Sequence, residues 1–178
     1  IEPTPPFCPG TYTVKILVKN NGNNKINNVK IAWELDGVSK GTINHTTPID
    51  INGSTAGNEV TITLGSVTFG NAARKIKAWT FEPNGNTDPV PADDTIDIDY
   101  RASLSGTYTV GGTSPDFATP VDAVDALNKY GTCGDVVFDI RPGSYNGKLI
   151  LNNPVSATPT PGRITFRSEN GNASSVTI

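Results

Sequence analysis

Oxygen-bearing side chains that can hold a cation are concentrated in one stretch of the sequence. The candidates are Asn84, Asn86, Asp88, Asp93 and Asp94. Carboxylate and amide oxygens are the hard ligands that Ca²⁺ requires. The spacing of an EF-hand is absent, and two prolines, Pro89 and Pro91, interrupt the stretch. Because Asn, Asp and Pro are also the ordinary residues of turns, we interpret the stretch first as a set of Asx turns, with a calcium site as the alternative.

Glycoside cleavage needs a pair of carboxyl groups, and the second half of the chain supplies several aspartates. They are Asp116, Asp122, Asp125, Asp135 and Asp139. Helix capping and solvation explain these residues without catalysis. His45 lies in a Thr-rich loop, and no nucleophile motif such as G-x-S-x-G accompanies it. We therefore predict no catalytic residue and no enzymatic activity for this chain, and leave open the activity of a longer parent protein.

Trp79 and Phe81 are two residues apart in a predicted strand, so they lie on one face of it. Aromatic rings on one face can form a platform for a sugar. In a strand with apolar residues on both faces, one face normally belongs to the core and the other to a neighbouring domain. We favour contact with the second predicted module and keep glycan binding as the alternative.

The two cysteines, Cys8 and Cys133, are far apart in the sequence, and the chain has a single His. This set is too small for a zinc site. The domain boundary predicted below places the two cysteines in different modules, which favours two separate buried thiols. A disulfide between them is the alternative.

Composition excludes several classes of protein. The 178 residues carry a net charge of −3, which does not suit a nucleic-acid binder. No run of apolar residues approaches the length of a membrane span, and residues 1–10 lack the pattern of a signal peptide. Gly, Pro, Thr and Asn are abundant, and only 17% of residues are charged, which is typical of strands joined by tight turns.

Apolar residues alternate with polar ones through most of the first hundred residues. One run contains Tyr12, Val14, Ile16 and Val18, with Leu17 on the outer side, and another contains Val29, Ile31, Trp33 and Leu35. A further run changes phase at Gly65, which indicates a β-bulge. Six or seven such strands predict an antiparallel β-sandwich of immunoglobulin-like size over residues 1–103, because each sheet has an apolar face that a second sheet must cover.

The pattern changes in residues 104–178. A short strand precedes a helix that begins at Thr119-Pro120 and ends at Gly131, and short strands separated by Pro-Gly and Asn-Gly corners follow it, including one over 148–151. This order predicts the N-terminal cap and first coils of a parallel β-helix. Because a solenoid needs about three coils and the chain has no Met, we expect a segment of a longer protein.

Three groups of residues resemble the large modular secreted and surface proteins of Bacteroidetes, which leave the cell by type IX secretion. The sequences FCPGTY (7–12) and VKNNG (18–22), with WELDG (33–37), KAWT (77–80), PNGNTD (83–88) and DDT (93–95), are similar to their CARDB-like immunoglobulin-type repeats. The sequences SGTYTVGG (105–112), CGDVVF (133–138) and RPGSYN (141–146) resemble the first coils of their pectin-lyase-like β-helices.

The resemblance implies a secreted or cell-surface location and a structural or adhesive role as a spacer that presents a β-helix. The alternatives are the N-terminal part of a carbohydrate-active β-helix enzyme, either a polysaccharide lyase or a glycoside hydrolase, and a glycan-binding sandwich. The expected partners are the remainder of the same chain and an extracellular glycan or surface protein. Calcium is the one cofactor considered.

Overall fold

A computed structural model describes residues 1–55, 57–88, 90–152, 156–158 and 162–178. The protein is mainly β, as predicted from the sequence. It forms two compact units: the first comprises Ile1–Pro3 and Thr11–Tyr100, and the second comprises Thr4–Gly10 and Arg101–Ile178. None of the helices in the described part of the chain is long and apolar enough to cross a membrane.

In its described residues, the first unit contains two sheets built from six strands. The strands are β1 (Gly10–Lys19), β2 (Val29–Leu35), β3 (Val38–His45), β4 (Glu59–Phe69), β5 (Arg74–Phe81) and β6 (Thr95–Tyr100). Strands β1 and β4 form one sheet, and the other has the order β3-β2-β5-β6 with antiparallel neighbours. These strands match the predicted alternating runs.

The core of the first unit follows from the alternation in the sequence. Four residues of β2 are buried, Val29, Ile31, Trp33 and Leu35, while the residues between them are partly exposed. Contacts run from one sheet to the other: a Cβ atom on Gly65 of β4 would lie 3.1 Å from the Trp33 ring, and the Phe69 and Tyr100 rings are 5.8 Å apart. The two sheets therefore bury their apolar faces against each other.

The predicted phase change in β4 is present. Ile62 and Leu64 are buried before Gly65, and Val67 and Phe69 are buried after it. A residue without a side chain at this point makes room for the indole of Trp33 on the facing sheet. The strand therefore presents apolar side chains to the core both before and after Gly65.

The second unit is organised around strands that run parallel. Its elements are β7 (Leu104–Val110), α1 (Pro120–Tyr130), β8 (Thr132–Ile140), β9 (Gly143–Ser144), β10 (Ile164–Ser168) and β11 (Val176–Thr177). One sheet has the order β10-β8-β7 and another pairs β11 with β9, and every pairing in them is parallel. Parallel neighbours require a long connection between consecutive strands, which the intervening residues supply.

Helix α1 has the start and stop that the sequence predicts. Thr119 and Asp122 form a capping box, in which the Asp122 backbone N–H donates to Thr119 Oγ1 at 3.2 Å and the Thr119 N–H donates to Asp122 Oδ2 at 2.9 Å. Pro120 occupies the first turn and Gly131 ends the helix with φ of 71°. The buried face of α1 contributes Ala123 and Leu127 to the core of the second unit.

Aromatic rings at matching positions of the three parallel strands form a ladder. Tyr108 and Phe166 each pair with Phe138 in the strand register. The ring centroids are 5.9 Å apart for Tyr108 and Phe138 and 4.9 Å apart for Phe138 and Phe166, and both pairs are stacked. Phe117 packs against the Tyr108 end of the ladder at 5.5 Å, whereas Phe166 at the other end is 37% exposed.

Two expectations about this half of the chain are wrong. Residues 148–151 do not form a strand: Ile150 and Leu151 are exposed, and the Asn128 side chain of α1 donates to the Ile150 carbonyl at 2.7 Å. The favoured pair of separate thiols is also wrong, because Cys8 and Cys133 form a disulfide.

The disulfide is possible because Cys8 belongs to the second unit. The predicted boundary at residue 103 assigned all preceding residues to the first module, whereas residues 4–10 group with the second unit in the structure. The Ser103 N–H donates to the Phe7 carbonyl at 2.8 Å, which holds this segment beside the start of β7. The local pattern of apolar and polar residues cannot predict that residues 4–10 join the second unit.

Candidate functional site

Two adjoining cavities, of about 480 and 220 Å³, lie in the first unit. The larger cavity lies between the Asn-rich loop 20–24 and residues that follow β5, and the smaller lies between β1 and the start of β6. Both are bordered by Lys19, Thr80, Asp93 and Asp94. We call the two cavities together the Asp94 cleft.

Asn20 builds one wall of the cleft. Its side chain is buried, and its amide nitrogen donates to the carbonyls of Asn24, Ile49 and Asp50 at 2.8, 3.4 and 3.0 Å. Its amide oxygen accepts from the Gly22 N–H at 2.9 Å. The loop therefore curls around one buried amide group, which fixes its shape.

Asn84 fixes the opposite wall and uses both ends of its side chain to do so. Its amide oxygen accepts from the Asn27 N–H at 2.7 Å, and its amide nitrogen donates to the Lys25 carbonyl at 2.9 Å. Its backbone is left-handed, with φ of 54°, which Asn tolerates better than most residues. Asn84 thus links its own segment to the loop of residues 25–27 by hydrogen bonds.

The next polar residues hold the local turns that the sequence predicted. The Asn86 amide donates to the Asn84 carbonyl at 3.2 Å, and Asp88 Oδ1 accepts from the Val90 N–H at 2.7 Å, as in an Asx turn. Pro89, one of the two prolines that interrupt the stretch, lies outside the described residues.

Asp94 differs from the other acidic residues of the cleft in its environment. Its Oδ1 accepts from the Thr80 hydroxyl at 2.8 Å, and its backbone carbonyl accepts from the Thr80 N–H at 3.2 Å. Its Oδ2 is buried and has no hydrogen-bond partner among the described residues. Burial raises the pKa of the Asp94 carboxyl above its ordinary value; the Thr80 hydrogen bond opposes the rise, and the charges of Asp88 and Asp93 add to it.

The five predicted calcium candidates all lie along the cleft. Within the part of the chain that the structure describes, no group of three or more His, Cys, Asp or Glu residues is arranged to hold a metal ion. Asn84 oxygen and one oxygen each of Asp88 and Asp94 already accept hydrogen bonds from the protein. Calcium binding stays a prediction.

Four of the five aspartates considered for catalysis have structural partners in the second unit. Asp116 accepts from the backbone and hydroxyl of Thr109, and Asp122 closes the capping box. Asp135 accepts from the Arg163 N–H at 2.7 Å, and Asp139 makes two contacts with the Arg167 guanidinium, at 2.5 and 3.2 Å. Asp125 is exposed on α1.

His45 and the two aromatic residues of β5 lie on strands of the four-stranded sheet. His45 is at the end of β3 and is partly buried, and its Nε2 has no partner among the described residues. Trp79 and Phe81 are also partly buried, with Lys77 Nζ 5.5 Å from the centre of the Trp79 ring and Lys30 Nζ 5.8 Å from that of Phe81. Their predicted contact with the second module stays a prediction.

Sequence reasoning missed two residues that define the cleft, Asn20 and Thr80. Asn20 belongs to a run of Asn and Gly that predicts an exposed turn, and nothing in the run marks one amide as buried. Thr80 follows Trp79 in a strand whose apolar neighbours dominated the pattern. Both acquire their roles from segments distant in the sequence.

Comparison of the chain with protein-family models, with curated proteins and with solved structures found no match.

Proposed function

We propose that the protein is a non-catalytic structural module of a secreted or cell-surface protein, in which an immunoglobulin-like sandwich accompanies the capped start of a parallel β-helix. The observation that carries the proposal is the ladder of Tyr108, Phe138 and Phe166 on three parallel strands. Repeated stacking of like residues on successive parallel strands is how a solenoid extends its core from coil to coil.

The two ends of this ladder differ in a way that suits the start of a solenoid. Tyr108 is 1% exposed and is covered by Phe117, and α1 packs in the same core. Phe166 is 37% exposed. In this proposal a further coil of the same polypeptide packs on Phe166, and the helix covers the first coil.

A location outside the reducing cytosol is supported by the disulfide. Disulfides that hold a fold together are concentrated in secreted and surface proteins, because cytosolic thiols are kept reduced. Here the bridge joins two segments of the second unit that are 125 residues apart. Secretion by the type IX route remains part of the proposal through the sequence resemblance alone.

A structural role is also supported by the way the acidic residues of the second unit are used. An enzyme of the glycosidase type needs two carboxyl groups free to face substrate. Asp116, Asp122, Asp135 and Asp139 instead accept hydrogen bonds from backbone groups, hydroxyls or an arginine of the same unit. These carboxyl groups stabilise turns, a helix start and a strand pair.

The test measures release of reducing sugars and unsaturated products from a panel of polysaccharides, for the native chain and for Asp139→Asn. The matched control is Asp125→Asn, on the exposed face of α1. We expect no product from any of the three, and a lower melting temperature for Asp139→Asn alone. Product release that Asp139→Asn abolishes in a folded protein would overturn the proposal.

A second candidate function, carbohydrate binding in the Asp94 cleft, is favoured by one observation. Asp94 Oδ2 is a buried acceptor with no partner among the described residues, at the border of two cavities, and the larger cavity is lined by several asparagines. Sugar hydroxyls are the donors that such an acceptor and such amides bind. Trp79, at the edge of the smaller cavity, adds an aromatic ring.

Glycan-array binding tests this second candidate. Binding that is lost in Asp94→Asn and in Thr80→Val, and kept in Asp125→Asn, would support carbohydrate recognition by the cleft. Absence of binding by the native chain at millimolar sugar concentration would count against it and leave the structural role as the remaining candidate.

A further inference from the structure

The disulfide closes a covalent loop that contains nearly all of the first unit. Cys8 and Cys133 are 125 residues apart, and strands β1 to β6 lie between them. Both cysteines belong to the second unit, in Thr4–Gly10 and in β8. Apart from residues 1–3, the first unit is thus an insertion in the chain of the second, and the bridge joins the two sides of the insertion.

Tension applied to the ends of such a chain has two covalent routes from residue 8 to residue 133. One follows the backbone through the strands of the first unit, and the other is the single bond between the two Sγ atoms. The bond is far shorter than the folded backbone path and cannot be extended. The disulfide bond therefore carries the applied force, and the backbone of residues 9–132 bears no tension.

We propose that the Cys8–Cys133 disulfide is a load bypass, which keeps the first unit and its Asp94 cleft folded while the chain bears tension. The inference rests on the proposed structural role, because a load is what gives the bypass its use. In the oxidised protein, force enters the second unit at Cys8 and Cys133 and is resisted by the pairing of β8 with β10. Reduction of the bridge puts the first unit into the load path.

Residues 1–3 are the one part of the first unit outside the loop. Glu2 pairs with Lys15 of β1 through two backbone hydrogen bonds, of 2.8 and 3.3 Å, and an ion pair of 2.8 Å. The Tyr100 hydroxyl also donates to the Pro3 carbonyl. Force at the N-terminus acts on these few contacts before it reaches Cys8, so we expect them to separate first.

Single-molecule pulling with handles at both termini tests the bypass. In the oxidised protein the extension at full unfolding corresponds to residues outside the loop. With reductant, the final extension increases by roughly 410–450 Å, the fully extended length of the residues that the loop contains. The variant Cys8→Ser/Cys133→Ser is expected to give the longer extension with or without reductant.

A core substitution in the first unit makes the test specific for load sharing. Ile76 of β5 is fully buried, so Ile76→Ala weakens the first unit, and Ile76→Val is the milder form if the alanine variant does not fold. We expect either variant to leave oxidised traces unchanged and to lower the unfolding force of the long event in reduced protein.

Two results would overturn the proposed load bypass. One is a change in the force–extension traces of the oxidised protein on Ile76→Ala, and the other is an equal final extension with and without reductant. Polysaccharide cleavage would overturn the structural role without altering these traces. The two failures are therefore distinguishable.

Discussion

At the scale of single residues, Asp94 has one oxygen that accepts a hydrogen bond from Thr80 and another that is buried without a partner among the described residues. A carboxyl group in this environment is less costly in its protonated form. Asp36 and Asp50, elsewhere in the first unit, accept backbone N–H hydrogen bonds that lower their pKa values. At Asp94 burial outweighs the hydrogen bond to the carboxylate, whereas at Asp36 and Asp50 the hydrogen bonds outweigh burial.

The raised pKa of Asp94 has a consequence for stability. Because the folded protein binds this proton more tightly than the unfolded chain, Asp94 stabilises the first unit at pH values below its ordinary pKa of 3.8. That contribution is lost as the pH rises through the raised folded-state pKa. The unfolding free energy of the native protein should therefore rise relative to that of Asp94→Asn as the pH falls toward 3.8.

Urea unfolding followed by tryptophan fluorescence measures this difference, because both tryptophans, Trp33 and Trp79, lie in the first unit. Asp36 and Asp50 titrate in the opposite sense, and comparison with the Asp94→Asn variant removes their contribution. A difference that stays constant with pH would show that Asp94 has no raised pKa.

Asn20 supports the cleft by satisfying buried backbone carbonyls. Asn20→Ala removes the donor to Asn24, Ile49 and Asp50, and the buried groups left without partners should destabilise the first unit by about 1–3 kcal/mol. Asn23→Ala, at an exposed position of the same loop, is the control and should change stability by less than about 0.5 kcal/mol. Equal effects of the two variants in urea unfolding would contradict the role assigned to Asn20.

At the scale of elements, β4 depends on the space that Gly65 leaves for the Trp33 ring. A Cβ atom at Gly65 would lie 3.1 Å from Trp33 Cζ2, closer than packed carbon atoms normally approach. We expect Gly65→Ala to destabilise the first unit by about 1–3 kcal/mol through overpacking of the core.

Gly70→Ala is the matched control, since a Cβ at Gly70, just after β4, meets nothing within 4 Å. Thermal unfolding followed by tryptophan fluorescence should show a lower midpoint for Gly65→Ala and an unchanged one for Gly70→Ala. An unchanged midpoint for both would mean that the sheets do not face each other as described.

Elements governed by local sequence could be predicted, and those governed by distant segments could not. Thr119, Pro120 and Gly131 set the bounds of α1 through interactions within a few residues, so the helix was evident from the sequence. Residues 148–151 have the composition of a strand, but Asn128 of α1 holds them through the Ile150 carbonyl. The curl of the loop around Asn20 likewise depends on Ile49 and Asp50.

At the scale of the whole molecule, the chain passes from the second unit to the first and back again. A boundary drawn at residue 103 from the pattern of strands cannot include the return of residues 4–10 to the second unit. The bridge and the Phe7–Ser103 hydrogen bond hold this segment in place. The stability of the second unit should therefore depend on the redox state, and that of the first unit should not.

Reduction of the disulfide is expected to lower the unfolding free energy of the second unit by about 2–4 kcal/mol, because the open chain gains conformational freedom when unfolded. Calorimetry resolves this loss, while tryptophan fluorescence reports the first unit separately. The variant Cys8→Ser/Cys133→Ser should match the reduced protein and should not respond to reductant. A calorimetric profile that reduction leaves unchanged would contradict this account.

The strands of the second unit pair in parallel, and the proposed start of a β-helix depends on this arrangement. Nuclear Overhauser effects between the backbone protons of β7, β8 and β10 test this most directly. We predict contacts that link Gly106 with Val136, Phe138 with Phe166, and Val110 with Ile140, each in parallel register. Contacts that link Gly106 with Ile140 would show antiparallel strands and contradict the claim.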